Sequence, residues 1–244
     1  MTVTVAILGE VDVRRDGLRL ALPSGKSTHV LVRLALDAGR TVSADRLIDD
    51  LWASEDGTTD RNTLQSKVSQ LRRALADPSL ISSTKSGYVL NIDPTLIDAL
   101  EVLRTAEEIG ALRSAGDLQV VVARCSAALS LFRGELLADS PDPWLEPHRA
   151  RLEQIRFGLL EEGLSARLEL GESADLTTEL EALVAAAPLR ERGWLLLMTA
   201  LYRAGRQADA LAAYRRVRVL LDDELGLEPG PDLQRLEQQI LAQD

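Results

Sequence analysis

The sequence predicts a mainly helical protein with a small β part, built from two modules. Three observations carry this. Only 3% of residues are aromatic although 45% are hydrophobic, so Leu, Ala and Val must fill the core, a composition that favours helices. Alternating β-rich runs are confined to the first 92 residues. From Leu96 onward the apolar spacing is helical almost to the end, with a late internal period of 34 residues.

The elements follow in order. "TVTVAILG" alternates and reads as a strand, and "VDVRRDGLRLAL" reads as two short strands about an Asp16-Gly17 turn. Ser24 or Ser27 is placed to cap a helix through "THVLVRLALDA", closed by Gly39. Ser43 caps a second helix, "ADRLIDDLW", with Leu47, Ile48, Leu51 and Trp52 on its apolar face. "ASEDGTTD" is a polar loop in which Thr59 or Asp60 caps a third helix, "RNTLQSKVSQLRRAL", over 61–75, stopped by Asp77-Pro78. "LISSTKSGYVLNI" then reads as a hairpin about Lys85-Ser86-Gly87. Sheet, three helices and hairpin make the layout of a winged helix, a variant of the helix-turn-helix. "DPT" at 93–95 marks the boundary, giving a first module over 1–94 and a second over 95–244.

In the second module Gly171 aligns with Gly205, Leu176 with Ala210, Leu180 with Tyr214 and Leu183 with Val217. Trp194, Leu197, Gly205, Ala210 and Tyr214 fall at tetratricopeptide-like offsets, which predicts stacked pairs of antiparallel helices. Gly163 and Arg167 depart from that pattern, standing where bulky apolar residues are usual. Trp144 and Trp194 read as core anchors. Packing claims the apolar residues of the array, which leaves Arg190, Arg192, Arg203 and Arg206 as candidates for contacting a partner protein.

The formal net charge of −10 is unevenly shared. Residues 1–95 hold 12 bases and 12 acids, and the remainder hold 16 and 26. Within 59–86, five bases face two acids. A local positive patch therefore sits on a neutral module joined to an acidic one.

The 61–75 helix carries that patch. Leu64, Val68, Leu71 and Leu75 form its apolar seam. Asn62, Ser66, Ser69 and Arg73 fall opposite, flanked by Gln65 and Gln70, while Arg61, Lys67 and Arg72 lie nearer the seam. Amide, hydroxyl and guanidinium groups without any acid suit base edges in the major groove of double-stranded DNA. Arg61, Lys67, Arg72 and Arg73 are also placed to neutralise phosphates, and Lys85 at the hairpin turn to reach the backbone. The competing reading is an ordinary solvated helix face.

Other chemistries find little support. "SGKST" at 24–28 lacks the glycine of a nucleotide loop, because position 20 is Leu20. No catalytic set appears among His29, His148 and Cys125, and one cysteine forms no intrachain disulfide. No cofactor or metal motif is present, and the chain is not expected to be an enzyme. "MTVTVAILGEV" has no basic region ahead of its apolar run and no stretch reaches membrane-spanning length, so a cytoplasmic location is expected.

"AGRTVSADRLIDDLW", "TLQSKVSQLRRAL" and "SGYVL" resemble the DNA-binding half of the Streptomyces antibiotic regulatory protein family. "DPWLEPHRARLEQIR" and the run from Pro188 to Leu241 look like that family's bacterial transcriptional activator domain. The resemblance implies a winged helix of the response-regulator type, binding to promoter direct repeats as a homodimer of side-by-side protomers, and recruitment of RNA polymerase, often at secondary-metabolite gene clusters. The alternative is a helical-repeat adaptor whose winged helix no longer binds DNA.

Overall fold

In the computed structural model, which describes residues 2–53, 61–172 and 176–243, the chain opens with an antiparallel sheet of β1 (Val3–Ala6), β2 (Asp12–Arg15) and β3 (Leu18–Arg19). Val5 lies opposite Val13, and both are buried. Asp16 and Gly17 turn the chain with φ of 48° and 85°, the left-handed pair a two-residue hairpin favours.

Three helices follow: α1 (Lys26–Ala35), α2 (Ala44–Trp52) and α3 (Arg61–Ala74). The cap of α1 differs from expectation. Gly25 occupies the N-cap without a side-chain hydrogen bond, and Ser27 is buried within the first turn. Ser43 caps α2 as expected, its Oγ accepting from Arg46 N at 3.1 Å. Leu47, Leu51 and Trp52 are buried, and Ile48 is half-buried. Arg33 on α1 is buried and holds Asp50 on α2 through Nε at 2.8 Å. Thr59 and Asp60, the expected caps of α3, lie outside the described residues. After α3, Ala76 adopts φ 51° and Pro78–Leu80 form a 3-10 turn capped by Asp77.

The hairpin is β5 (Ile81–Ser83) and β6 (Gly87–Leu90). A third strand, unforeseen from the sequence, completes its sheet: β4 (Val42–Ser43) pairs with β6, giving the order β4-β6-β5. Gly87 is needed here for space rather than turn freedom. A Cβ on it would lie 1.9 Å from the Val42 carbonyl oxygen. Tyr88 and Leu90 point into the core while Val89 is half-buried.

Residues 1–105 with 130–155 form one compact unit, and 106–129 with 156–244 form another. Within the first, the chain after the hairpin returns to the first sheet. Val5 bridges Ile97, and the buried Asp98 carboxylate accepts from the backbone N–H of Ile7 at 2.8 Å and of Leu8 at 3.0 Å. Asp98 begins α4 (Asp98–Ser114), which is followed by α5 (Leu118–Leu129) and α6 (Glu146–Glu169).

The second unit also contains α7 (Thr177–Ala186), α8 (Glu191–Arg203), α9 (Gln207–Leu225) and α10 (Pro231–Ala242). The three apolar pairs aligned by the 34-residue period are buried, Leu176 and Ala210, Leu180 and Tyr214, Leu183 and Val217, while Gly171 and Gly205 are exposed with φ of 98° and 74°. Trp194 joins this core and donates from Nε1 to Pro188 O at 2.8 Å. The two departures from the repeat have physical reasons. A Cβ on Gly163 would stand 3.2 Å from the Cβ of Cys125, so any side chain there crowds that residue. Arg167 is held at the surface by Glu172 at 2.8 Å and Glu179 at 2.9 Å. Among the described residues no helix is long and apolar enough to cross a membrane, and no cluster of His, Cys, Asp and Glu is arranged to hold a metal.

Candidate nucleic-acid interface

The seam of α3 is buried to the last residue: Leu64, Val68, Leu71 and Leu75 are each at most 1% exposed. Helical geometry then turns the polar residues outward. Asn62, Gln65, Ser66, Ser69 and Arg73 are exposed, and Lys67 is half-buried beside the seam. Arg61 is exposed at the N-terminus of α3, where it meets Asp45 of α2 at 2.8 Å. That hydrogen bond and the adjacent carboxylate raise the guanidinium above its ordinary pKa.

Arg72 turns away from the outward face. Its Nε donates to the Ile81 carbonyl at 2.8 Å and its Nη2 to Ser83 Oγ at 2.9 Å, tying α3 to the first strand of the hairpin. Arg73 stays on the outward face, with Nε 3.3 Å from the Ser69 carbonyl. Lys85 is exposed at the hairpin tip. The tip is fixed by Thr84 N donating to Gly87 O at 2.8 Å and Gly87 N donating to Thr84 Oγ1 at 3.0 Å.

Two further residues set the helix in place, and sequence reasoning missed both. Arg15, at the end of β2, donates from Nη1 to the Ala76 carbonyl at 3.3 Å and from Nη2 to the Leu75 carbonyl. A guanidinium thereby satisfies carbonyls at the C-terminal end of α3, where the helix dipole is negative. Ser27, buried on α1, donates from Oγ to Gln70 Oε1 at 2.9 Å. Arg15 carries no local sequence signal, because its partners lie 60 and 61 residues away.

The partner-contact candidates of the array behave differently. Arg190 is held by the buried Glu161 at 2.8 Å and Arg192 by Glu162 at 2.6 Å. Arg203 donates to the Leu168 carbonyl at 2.7 Å, and Arg206 pairs with Asp209 at 2.7 Å. Each already serves the fold of the second unit.

Comparison with known proteins matches these regions to two families. Residues 20–90 match "Transcriptional regulatory protein, C terminal", and residues 97–241 match "Bacterial transcriptional activator domain". The regulatory protein AfsR of Streptomyces coelicolor is 43% identical over 98% of this chain, which spans about a quarter (24%) of the length of AfsR. The transcriptional regulator RedD of the same organism is 37% identical over 99% of the chain and 71% of RedD. The regulatory protein DnrI of Streptomyces peucetius is 34% identical over 98% of the chain and 92% of DnrI. Among solved structures, Mycobacterium tuberculosis EmbR in complex with a low-affinity phosphopeptide superposes with a TM-score of 0.94 at 32% identity, covering 99% of this chain and 65% of that one. The chain belongs to the Streptomyces antibiotic regulatory protein family of transcriptional regulators.

Proposed function

We propose that this chain activates transcription by laying the outward face of α3 in the DNA major groove, with residues 1–94 as the DNA-binding module and 95–244 as the activator module. Gln65, Ser66, Ser69, Asn62 and Arg73 face the bases and nearby phosphates, and Arg61, Lys67 and Lys85 meet the backbone. Arg72 holds the hairpin at a fixed offset from α3, so that helix and tip address DNA together. On this reading Arg61 exchanges Asp45 for a phosphate on binding. Protomers sit side by side on promoter direct repeats, and the activator module helps engage RNA polymerase, at genes of secondary metabolism.

The single observation that carries this reading is the exposed, carboxylate-free face of α3, gripped from behind by Arg15 and Arg72. Because the first 95 residues are charge-balanced, non-specific affinity is weak and neighbouring protomers reinforce one another. Electrophoretic shift with promoter DNA tests it. Affinity should fall steeply with salt, as counterion release requires, and Gln65→Ala with Arg73→Ala should weaken binding at least about tenfold. Equal binding by wild type and that double variant contradicts the groove assignment.

A further inference from the structure

The outward stripe of α9 carries a charge pattern that the protomer itself uses only in part. Val219 lies midway along it and is 60% exposed. Arg215 precedes it by four residues and Asp223 follows by four, while Arg216 and Asp222 stand three before and three after. At about 100° per residue, all of these lie within roughly 60° of the Val219 direction. Arg215, Arg216, Val219 and Asp223, together with Ala212 and Leu220, line a shallow groove on the helix surface.

Neighbouring arginines on α9 are paired inside the unit. Arg216 meets Glu181 at 3.1 Å and lies over the Trp194 ring at 4.9 Å, and Arg218 meets Glu228 at 3.0 Å. Arg215, Asp222 and Asp223 are exposed and, among the described residues, make no ion pair. Asp222, Asp223 and Glu224 moreover crowd the C-terminal end of α9, whose last turn holds no base. Acids there oppose the helix dipole. Within one protomer the pattern is locally unfavourable.

A second copy laid antiparallel removes that conflict. A two-fold axis at Val219 brings Arg215 opposite Asp223 and Arg216 opposite Asp222, each twice, and places Val219 against itself. The acidic end of each helix then lies beside the arginines of the other, and the two dipoles oppose. A parallel arrangement sets like charges together and fails. Arg216 has donors enough to keep Glu181 and serve the second copy. We propose that α9 is a self-recognition helix, on which a second copy of this chain docks antiparallel about Val219. One helix face is small beside the roughly 800 Å² per partner of a stable interface. The association is therefore weak, concentration-dependent and salt-sensitive. Its two-fold symmetry differs from the translation relating protomers on direct repeats, so it is a separate contact, formed without DNA.

Sedimentation velocity of the whole chain at low salt, from about 1 μM to about 300 μM, tests this. The wild type should pass from monomer to dimer. Arg215→Asp or Asp223→Arg alone should weaken the dimer at least about tenfold. An equimolar mixture of those two variants should dimerise again, because each altered site then faces an opposite charge. Circular dichroism checks that each variant folds, and a shift assay on a single repeat reads DNA binding separately. A wild type that stays monomeric across the range, or a mixture no better than either variant alone, overturns the proposal.

Discussion

The Nε of Arg72 on α3 donates to the carbonyl oxygen of Ile81 on β5 at 2.8 Å. This bond ties α3 to the hairpin, and it separates two arginines that are adjacent in sequence. Arg72 faces protein and Arg73 faces solvent.

Their alanine variants should therefore differ. Arg72→Ala should lower stability by about 1.5–3 kcal/mol, the range for hydrogen bonds to charged groups, and should weaken DNA binding as a consequence. Arg73→Ala should leave the melting temperature unchanged and weaken DNA binding alone. Thermal denaturation beside fluorescence anisotropy with promoter DNA reads both effects.

Gly87 should tolerate no side chain. The 1.9 Å approach of a Cβ to the Val42 carbonyl forces β4 and β6 apart. Gly87→Ala should cost more than about 2 kcal/mol, as for overpacking against rigid backbone, visible as a lower urea midpoint. An unchanged midpoint shows that β4 is free to leave β6.

His148 should make the protein acid-sensitive. Burial, and then the charge of Arg33, hold its imidazole below the ordinary value of 6.5. A depressed folded pKa contributes stability that is present above 6.5 and lost as pH falls through the folded value. Unfolding midpoints measured over about pH 5.5–7.5 should decline toward acid in the wild type. The decline should be shallower in His148→Gln.

Cys125 should be inert. Burial, with the nearby Glu162 charge, pushes its thiol up to about 11. At about pH 8 the native protein should react with a thiol reagent far more slowly than the unfolded chain. Gly163→Leu, which crowds Cys125, should lower stability by about 1–3 kcal/mol and speed that reaction.

Much of this was legible in the sequence because it is periodic. The seam of α3 and the paired buried positions of the array depend only on spacing along one helix or between two repeats. The Asp16-Gly17 hairpin and the Ser43 cap depend on local backbone chemistry. What escaped depends on distant partners. Arg15 reaching Ala76, Asp98 binding the amides of Ile7 and Leu8, and β4 pairing with β6 have no local signature. The cap of α1 escaped for another reason: both serines near it were plausible, yet Ser27 is drawn inward by Gln70 and Gly25 takes the cap.

The central claim is that the outward face of α3 meets DNA. Placing a carboxylate in the middle of that face tests it most directly. Ser66 is exposed. Anisotropy titration of promoter DNA with wild type and Ser66→Asp, both shown folded by their melting temperatures, should reveal affinity reduced at least about tenfold in the variant. Identical affinities for the two proteins would contradict the claim.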